Sequence, residues 1–218
     1  MIEEESINMI NLYDLGVDAF LFDLDGVLLD TEGKYQEFWE GIAEEYGLDP
    51  KVFPISIKGQ TTDTIVDDNF IAEVRESIKE RYHQYQQNMS YEFFNGAQDI
   101  LKACKAKGIK TAIVTSSDKA KMHAVHQQHP YLSDMVDVVL TAEDFNNPKP
   151  SPQCWLIAAK CLDVGIAKCV IFEDSINGLK SAKASGGYVV GLTTTHTEEL
   201  VNPFCYKVIS DISQFYKL

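Results

Sequence analysis

"FLFDLDGVLLDTE", residues 20–32, decides how the rest of the chain is read. An apolar run ends on two aspartates, Asp23 and Asp25, one residue apart. Gly26 follows at once, then a second apolar run and Asp30. With the residues before it, "VDAFLFD" (17–23) has the short, continuous apolar character of a strand buried on both faces. Two carboxylates at the end of such a strand repel each other and lose solvation unless a cation or donors hold them.

Downstream the period changes. Tyr35, Phe38, Trp39, Ile42, Ala43 and Tyr46 recur at helical spacing, one packed helix face, and Gly47 stops the run. "LDPKVFPISIKGQ" (48–60) reads as a loop punctuated by proline and glycine, and residues 61–88 carry polar helical patterns without a strand. From Ala97 the pattern alternates. A helix over 97–107 has Ala97, Ile100, Leu101 and Cys104 on one face and Gly108 as its stop. Strands follow at 110–115, 136–141, 168–174, 188–192 and 206–210, with helices around 118–129, 152–163 and "SINGLKSAKASG", and a last helix closes the chain. Short β–α alternation means parallel strands with helices on both faces. The expected architecture is α/β: a doubly wound parallel sheet built from 17–32 and 96–218, a helical insert over 33–95, and an acidic N-terminal extension over 1–16.

Bulk properties narrow the partners. The 218 residues are 45% hydrophobic, enough to bury a core. The formal net charge of −14 argues against nucleic acid, which needs a basic footprint. It also repels an anionic substrate at long range, so such a substrate needs local cations or a metal. No apolar stretch reaches the ~20 residues of a membrane span. "MIEEESINMI" lacks the basic start and apolar run of a signal peptide. Five scattered cysteines without a C-x-x-C pair suit reduced thiols in a cytoplasmic protein, and nothing requires more than a monomer. His123, His126 and His129 recur every third residue, a spacing that drifts around a helix, and read as a solvated face rather than a metal site.

In open α/β sheets ligands bind at the carboxyl ends of the strands. Four such ends carry chemistry: Asp23 and Asp25; Thr115 and Ser116 in "VTSSD" (114–118); Lys149 in "NPKPSP" (147–152); Glu173 and Asp174 in "FEDS" (172–175). Carboxylates clustered this way suit a hard cation such as Mg²⁺, which takes oxygen ligands. A phosphate can share that metal, the hydroxyls, the lysine and backbone amides at a helix N-terminus. One aspartate can then attack while the other moves protons. Each fragment alone is a weak signal; all four in order, each at a strand end, form a strong one.

The set "DLDGVLLDTE", "VTSS", "KPSP" and "FEDSINGL" resembles the four motifs of the haloacid dehalogenase superfamily, in its phosphatase and β-phosphoglucomutase-like branch with a helical cap. The resemblance runs from about residue 18 to the end. It implies that Asp23 is a nucleophile forming an aspartyl-phosphate, and that Asp25 protonates the leaving oxygen and then activates water. It implies that Thr115 and the Ser116 amide hold phosphoryl oxygens and that Lys149 stabilises the transition-state charge. It implies Mg²⁺ on Asp23, the Asp25 carbonyl and Asp174, with Glu173 as ligand or neighbour. Thr31 and Glu32 would form the cap hinge, the chain returning near Asn95 and Gly96, and the cap would close over the substrate.

"IKGQTTDTI" (57–65) resembles the specificity loop of β-phosphoglucomutases at Lys58 and Gly59, with Gln60 following. Those enzymes carry arginine where Thr62 stands and histidine where Tyr35 stands. A mutase must grip a second phosphate, and Arg81, in the later cap helix, is a candidate to replace that arginine in part. The expectation is therefore a phosphatase on a small phosphorylated metabolite, a sugar phosphate by default. A mutase is the alternative, and a non-catalytic phospho-ligand binder the second.

Overall fold

The computed structural model describes residues 16–57 and 60–215. Six parallel strands form one sheet: β1 Ala19–Phe22, β2 Lys110–Val114, β3 Val138–Leu140, β4 Cys169–Glu173, β5 Tyr188–Leu192 and β6 Lys207–Ile209. Their order is β3-β2-β1-β4-β5-β6. β1 is central, and the connections run outward from it in both directions, which opens a crevice at the carboxyl ends of β1 and β4.

The strands are buried on both faces, so their apolar runs are continuous. Phe20 and Phe22 of β1 join one cluster with Ile100 and Leu101 of α5 (Ala97–Lys107), Val125 of α6 (Lys119–Gln128) and Phe215. Ala19 and Leu21 point the other way, to Trp155 and Ala158 of α7 (Gln153–Cys161) and Leu179 of α8 (Ile176–Ser185). Phe22 stacks on Phe172 with ring centroids 4.8 Å apart.

Between β1 and α5 lie four helices: α1 Glu32–Glu45, α2 Phe53–Ser56, α3 Thr62–Asn69 and α4 Ala72–Asn88. They have a core of their own, with Trp39, Ile42, Phe53, Ile65, Val66, Phe70 and Ile78. The two chain crossings into this unit are tied side by side. Leu29 bridges Phe93, Asp30 N–H donates to Glu92 O (2.8 Å), and Phe94 N–H donates to Leu28 O (2.9 Å).

All six expected strands form. Two expectations change. The 48–60 segment contains α2, because Pro54 in its first turn lacks only an N–H that a helix start leaves unbonded anyway. The final helix is a four-residue 3₁₀ turn, Ile212–Phe215, which buries Ile212 and Phe215 against the sheet. The N-terminal extension through residue 15, Lys58 and Gly59 lie outside the described residues. Among those described, no helix is long and apolar enough to cross a membrane, and all five cysteines are free thiols.

Candidate active site

Register brings the carboxylates together. Phe22 pairs with Ile113 on one side and Phe172 on the other, so Asp23, Val114 and Glu173 lie level at the strand ends. Asp23 N–H continues the ladder to Phe172 O (2.9 Å). Asp23, Glu173 and Asp174 each present an oxygen within 4.8 Å of the others, all buried.

Lys149 reaches into this group from the loop after β3. Its Nζ donates to Asp23 Oδ1 (2.6 Å), Glu173 Oε2 (2.7 Å) and Val114 O (3.3 Å), and lies 4.5 Å from the centre of the Trp155 ring. Burial alone would lower its pKa; the Asp23 and Glu173 charges outweigh this and hold it above the ordinary lysine range. Burial pushes the Asp23 carboxyl up to about 7, further raised by Glu173 and Asp25, although Lys149 opposes the shift. Asp174, for the same reasons of burial and neighbouring carboxylates, is pushed well above the usual range.

Glu173 is used up by protein donors. Its Oε1 accepts from the backbone N–H of Asp174 (3.0 Å) and Ser175 (2.9 Å) and from the Ser175 hydroxyl (2.9 Å), while Oε2 holds Lys149. Asp174 Oδ2 accepts from the hydroxyl of Thr195, in the loop after β5. Two glycines leave room for these side chains. A Cβ on Gly178 would fall 1.9 Å from Glu173 Oε2, and one on Gly26 (φ +74°) would fall 2.0 Å from Asp174 Oδ2.

The donor set fits a hard cation. Asp23 and Asp174 are buried carboxylates with raised proton affinity, and the single ammonium among the three carboxylates leaves excess negative charge. Oxygen-only donors of this kind suit Mg²⁺. Glu173, saturated by its own donors, fits a supporting position rather than a ligand position.

Asp25 sits in a second set of contacts. Lys121 Nζ lies 2.5 Å from both of its oxygens, the Thr31 hydroxyl donates to Oδ1 (2.6 Å), and the Ser117 hydroxyl donates to Oδ2 (2.9 Å). Burial pushes this carboxyl up, but Lys121 and the two hydroxyls overcome it, so Asp25 is held below the ordinary range. Thr31 stands at the start of α1 without capping it, since its hydroxyl serves Asp25 instead.

Asp23, Asp25, Lys149, Glu173, Asp174 and Thr115 thus converge. Thr115 is buried just past β2, and its hydroxyl accepts from Ser117 N–H (3.0 Å). Ser116 is exposed on the same turn, and Ser117, not singled out from the sequence, is the hydroxyl that reaches Asp25. In the helical unit, Tyr35 faces Lys121, with Nζ 4.8 Å from its ring centre, and Thr62 opens α3. Gln60 is exposed and contacts Ile57 O and Ser56 O. The Arg81 guanidinium is paired with Glu45 (2.8 and 3.1 Å) within the same helical unit.

Lys121 was missed in the sequence. The signal was present: in α6 the buried positions are Lys121, Met122, Ala124 and Val125, so a lysine stands on the apolar face of a helix that otherwise reads as polar.

The description of haloacid dehalogenase-like hydrolases matches residues 20–192. A probable pseudouridine-5'-phosphatase of Saccharomyces cerevisiae is 30% identical over 196 residues, which is 82% of this chain and 83% of that protein. A phosphorylated carbohydrates phosphatase of Thermotoga maritima is 29% identical over 179 residues, 78% of this chain and 82% of that one. Among solved structures, a β-phosphoglucomutase of Clostridium difficile superposes with a TM-score of 0.73 at 25% identity, covering 91% of this chain and 92% of that one. The matched motifs, the strand order and the carboxylate–lysine cluster agree, and the chain belongs to the haloacid dehalogenase-like hydrolase family.

Proposed function

We propose that the protein is a Mg²⁺-dependent phosphatase of a small phosphorylated metabolite, a sugar phosphate in the first instance, working in the cytoplasm as a monomer. The observation that carries this reading is the Lys149 bridge between Asp23 and Glu173, with Asp25 held two residues away on a separate set of donors.

In this reading Asp23 attacks phosphorus, and the bond from phosphorus to the ester oxygen breaks. The departing oxygen takes a proton from Asp25, which has to take up that proton and be released from Lys121 before the step. Water then loses a proton to Asp25 and attacks the aspartyl-phosphate, releasing inorganic phosphate and the Asp23 carboxylate. Lys149, Thr115 and the Ser116 amide hold the phosphoryl oxygens as charge develops. Asp23, the Asp25 carbonyl and Asp174 would hold Mg²⁺, with Glu173 orienting Lys149. The bound cation would neutralise phosphoryl charge and allow an anion into a strongly acidic protein.

Residues 33–95 act as a cap that closes over the site, and Lys58, Gly59, Gln60 and Thr62 select the substrate. Three features favour hydrolysis over mutation of phosphosugars: threonine at 62, tyrosine at 35, and Arg81 already paired with Glu45. The likeness to β-phosphoglucomutases keeps a mutase as the competing reading.

Phosphorus NMR tests it, using the purified protein with Mg²⁺ and a panel of sugar phosphates that includes β-glucose 1-phosphate with a trace of the 1,6-bisphosphate. Inorganic phosphate that requires Asp23 and Mg²⁺ is expected. Glucose 6-phosphate without net phosphate release would make it a mutase, and binding without turnover would make it a phospho-ligand binder.

A further inference from the structure

A lysine ammonium carries three N–H groups, and at Lys149 three protein oxygens take them: Asp23 Oδ1 (2.6 Å), Glu173 Oε2 (2.7 Å) and Val114 O (3.3 Å). A further contact is of another kind. The ammonium lies 4.5 Å from the centre of the Trp155 ring, within reach of a cation–π attraction. Trp155 stands in the first turn of α7, just after the loop that carries Lys149, and is 0% exposed.

The indole is costly in one respect. Its Nε1–H is buried and, among the described residues, has no hydrogen-bond partner. A buried donor left unpaired costs stability. Phenylalanine or leucine could join the surrounding cluster, with Leu21, Val114 and Ala158, without burying that group. Packing alone gives no reason for an indole here. Its face gives one. Of the aromatic side chains tryptophan attracts a cation most strongly, and the attraction grows where water is excluded. Lys149 is such a cation, with its side chain 6% exposed.

The ring also differs from the oxygens in what it leaves free. With all three N–H groups committed, this ammonium meets a phosphoryl oxygen only by turning one N–H away from a protein oxygen. Val114 O is neutral and the most distant of the three, so it holds least strongly against two close carboxylates. An aromatic face attracts the charge as a whole and keeps its hold while an N–H changes partner.

We propose that Trp155 is a positioning residue for Lys149: its indole face keeps the ammonium beside Asp23 while one N–H leaves Val114 O for a phosphoryl oxygen. This rests on the phosphoryl-binding role given to Lys149 in the phosphatase reading. A side chain that only fills space acts through its volume. One that holds a cation acts through the electron density of its ring.

Fluorotryptophans separate the two, because fluorine draws electron density from the ring and barely changes its size. The chain has two tryptophans, Trp39 and Trp155. The unmutated protein, and Trp155→Phe in which only Trp39 takes the label, are each made with tryptophan, monofluorotryptophan and difluorotryptophan. Each is assayed with Mg²⁺ on the sugar phosphate that the unmutated protein hydrolyses fastest. In the unmutated protein kcat/KM should fall about twofold per fluorine, with the melting temperature unchanged, and in Trp155→Phe it should not respond to fluorine. Equal kcat/KM for all three tryptophans, or the same fall in Trp155→Phe, overturns the proposal and leaves the phosphatase reading intact. Turnover that does not require Asp23 overturns both. If Trp155→Phe does not fold, Trp39→Phe leaves Trp155 as the labelled ring: the same stepwise fall is expected there, and its absence overturns the proposal.

Discussion

Lys149 Nζ lies 2.6 Å from Asp23 Oδ1, joining a loop after β3 to the end of the central strand 126 residues earlier. The same ammonium holds Glu173 at 2.7 Å, so one cation sits between two buried carboxylates. Removing it leaves both facing each other in a dry site. Lys149→Met should destabilise the fold by about 3–5 kcal/mol, the usual cost of stripping one partner from a buried pair. Turnover should fall by about 10²–10³-fold, the cost of losing one transition-state donor. Thermal unfolding and steady-state kinetics check the two effects separately, and unchanged turnover would contradict the role given to Lys149.

The glycines beside the carboxylates give a steric prediction. Gly26→Ala would drive a methyl into Asp174 Oδ2 at a backbone φ of +74°, and Gly178→Ala would drive one into Glu173 Oε2. The first should weaken Mg²⁺ binding, read as a rise of tenfold or more (on the order of 1.4 kcal/mol) in the concentration that half-saturates activity. The second should disturb Lys149 through Glu173. Gly33 and Gly41 lie in α1 with nothing within 4 Å of an added Cβ. Changing either to alanine should stabilise by roughly 0.5–1 kcal/mol and leave kinetics alone. If all four variants behave alike, the close packing around Asp174 and Glu173 is not what those glycines serve.

Proton affinity at Asp23 links pH to metal. Burial first, then Glu173 and Asp25, raise this carboxyl to about 7 from 3.8. A folded-state value above the unfolded one means that the native state binds the proton more tightly. The stability it contributes is fully present below about pH 4 and is lost as pH rises towards 7. The metal-free protein should therefore unfold at lower temperature at pH 8 than at pH 5.5. Mg²⁺ competes with that proton for the same oxygens, so its stabilising shift should be larger at pH 8. Thermal unfolding with Mg²⁺ and with a chelator at both pH values checks this, and a larger shift at the acidic pH would contradict it.

Much of this was legible in the sequence because strand ends in a parallel sheet report on the site directly. The apolar runs before Asp23, Thr115 and Glu173 place those residues on the carboxyl edge without any knowledge of long-range contacts. Contacts made across the sheet were not legible. Lys121, Ser117 and Thr195 reach the carboxylates from 96, 92 and 21 residues away; Lys121 stands in a helix, and Ser117 and Thr195 each lie three residues past a strand, where one hydroxyl among several does not stand out. Arg81 likewise has a partner that the sequence did not show: Glu45, 36 residues earlier, lies within reach of its guanidinium. The helix within 48–60 was hidden by Pro54, which breaks a helix interior but is welcome in a first turn.

The central claim is that Asp23 carries the phosphoryl group. The most direct measurement is rapid acid quench of the Asp25→Asn variant mixed with Mg²⁺ and p-nitrophenyl phosphate, whose leaving group departs without a proton, followed by mass spectrometry of the peptide that spans residues 20–32. Water cannot be activated in that variant, so the account predicts a phosphoryl group on Asp23 that builds up and is absent from Asp23→Asn. Turnover of the unmutated protein with no phosphoryl group trapped on Asp23, or with one trapped on another residue, would contradict it.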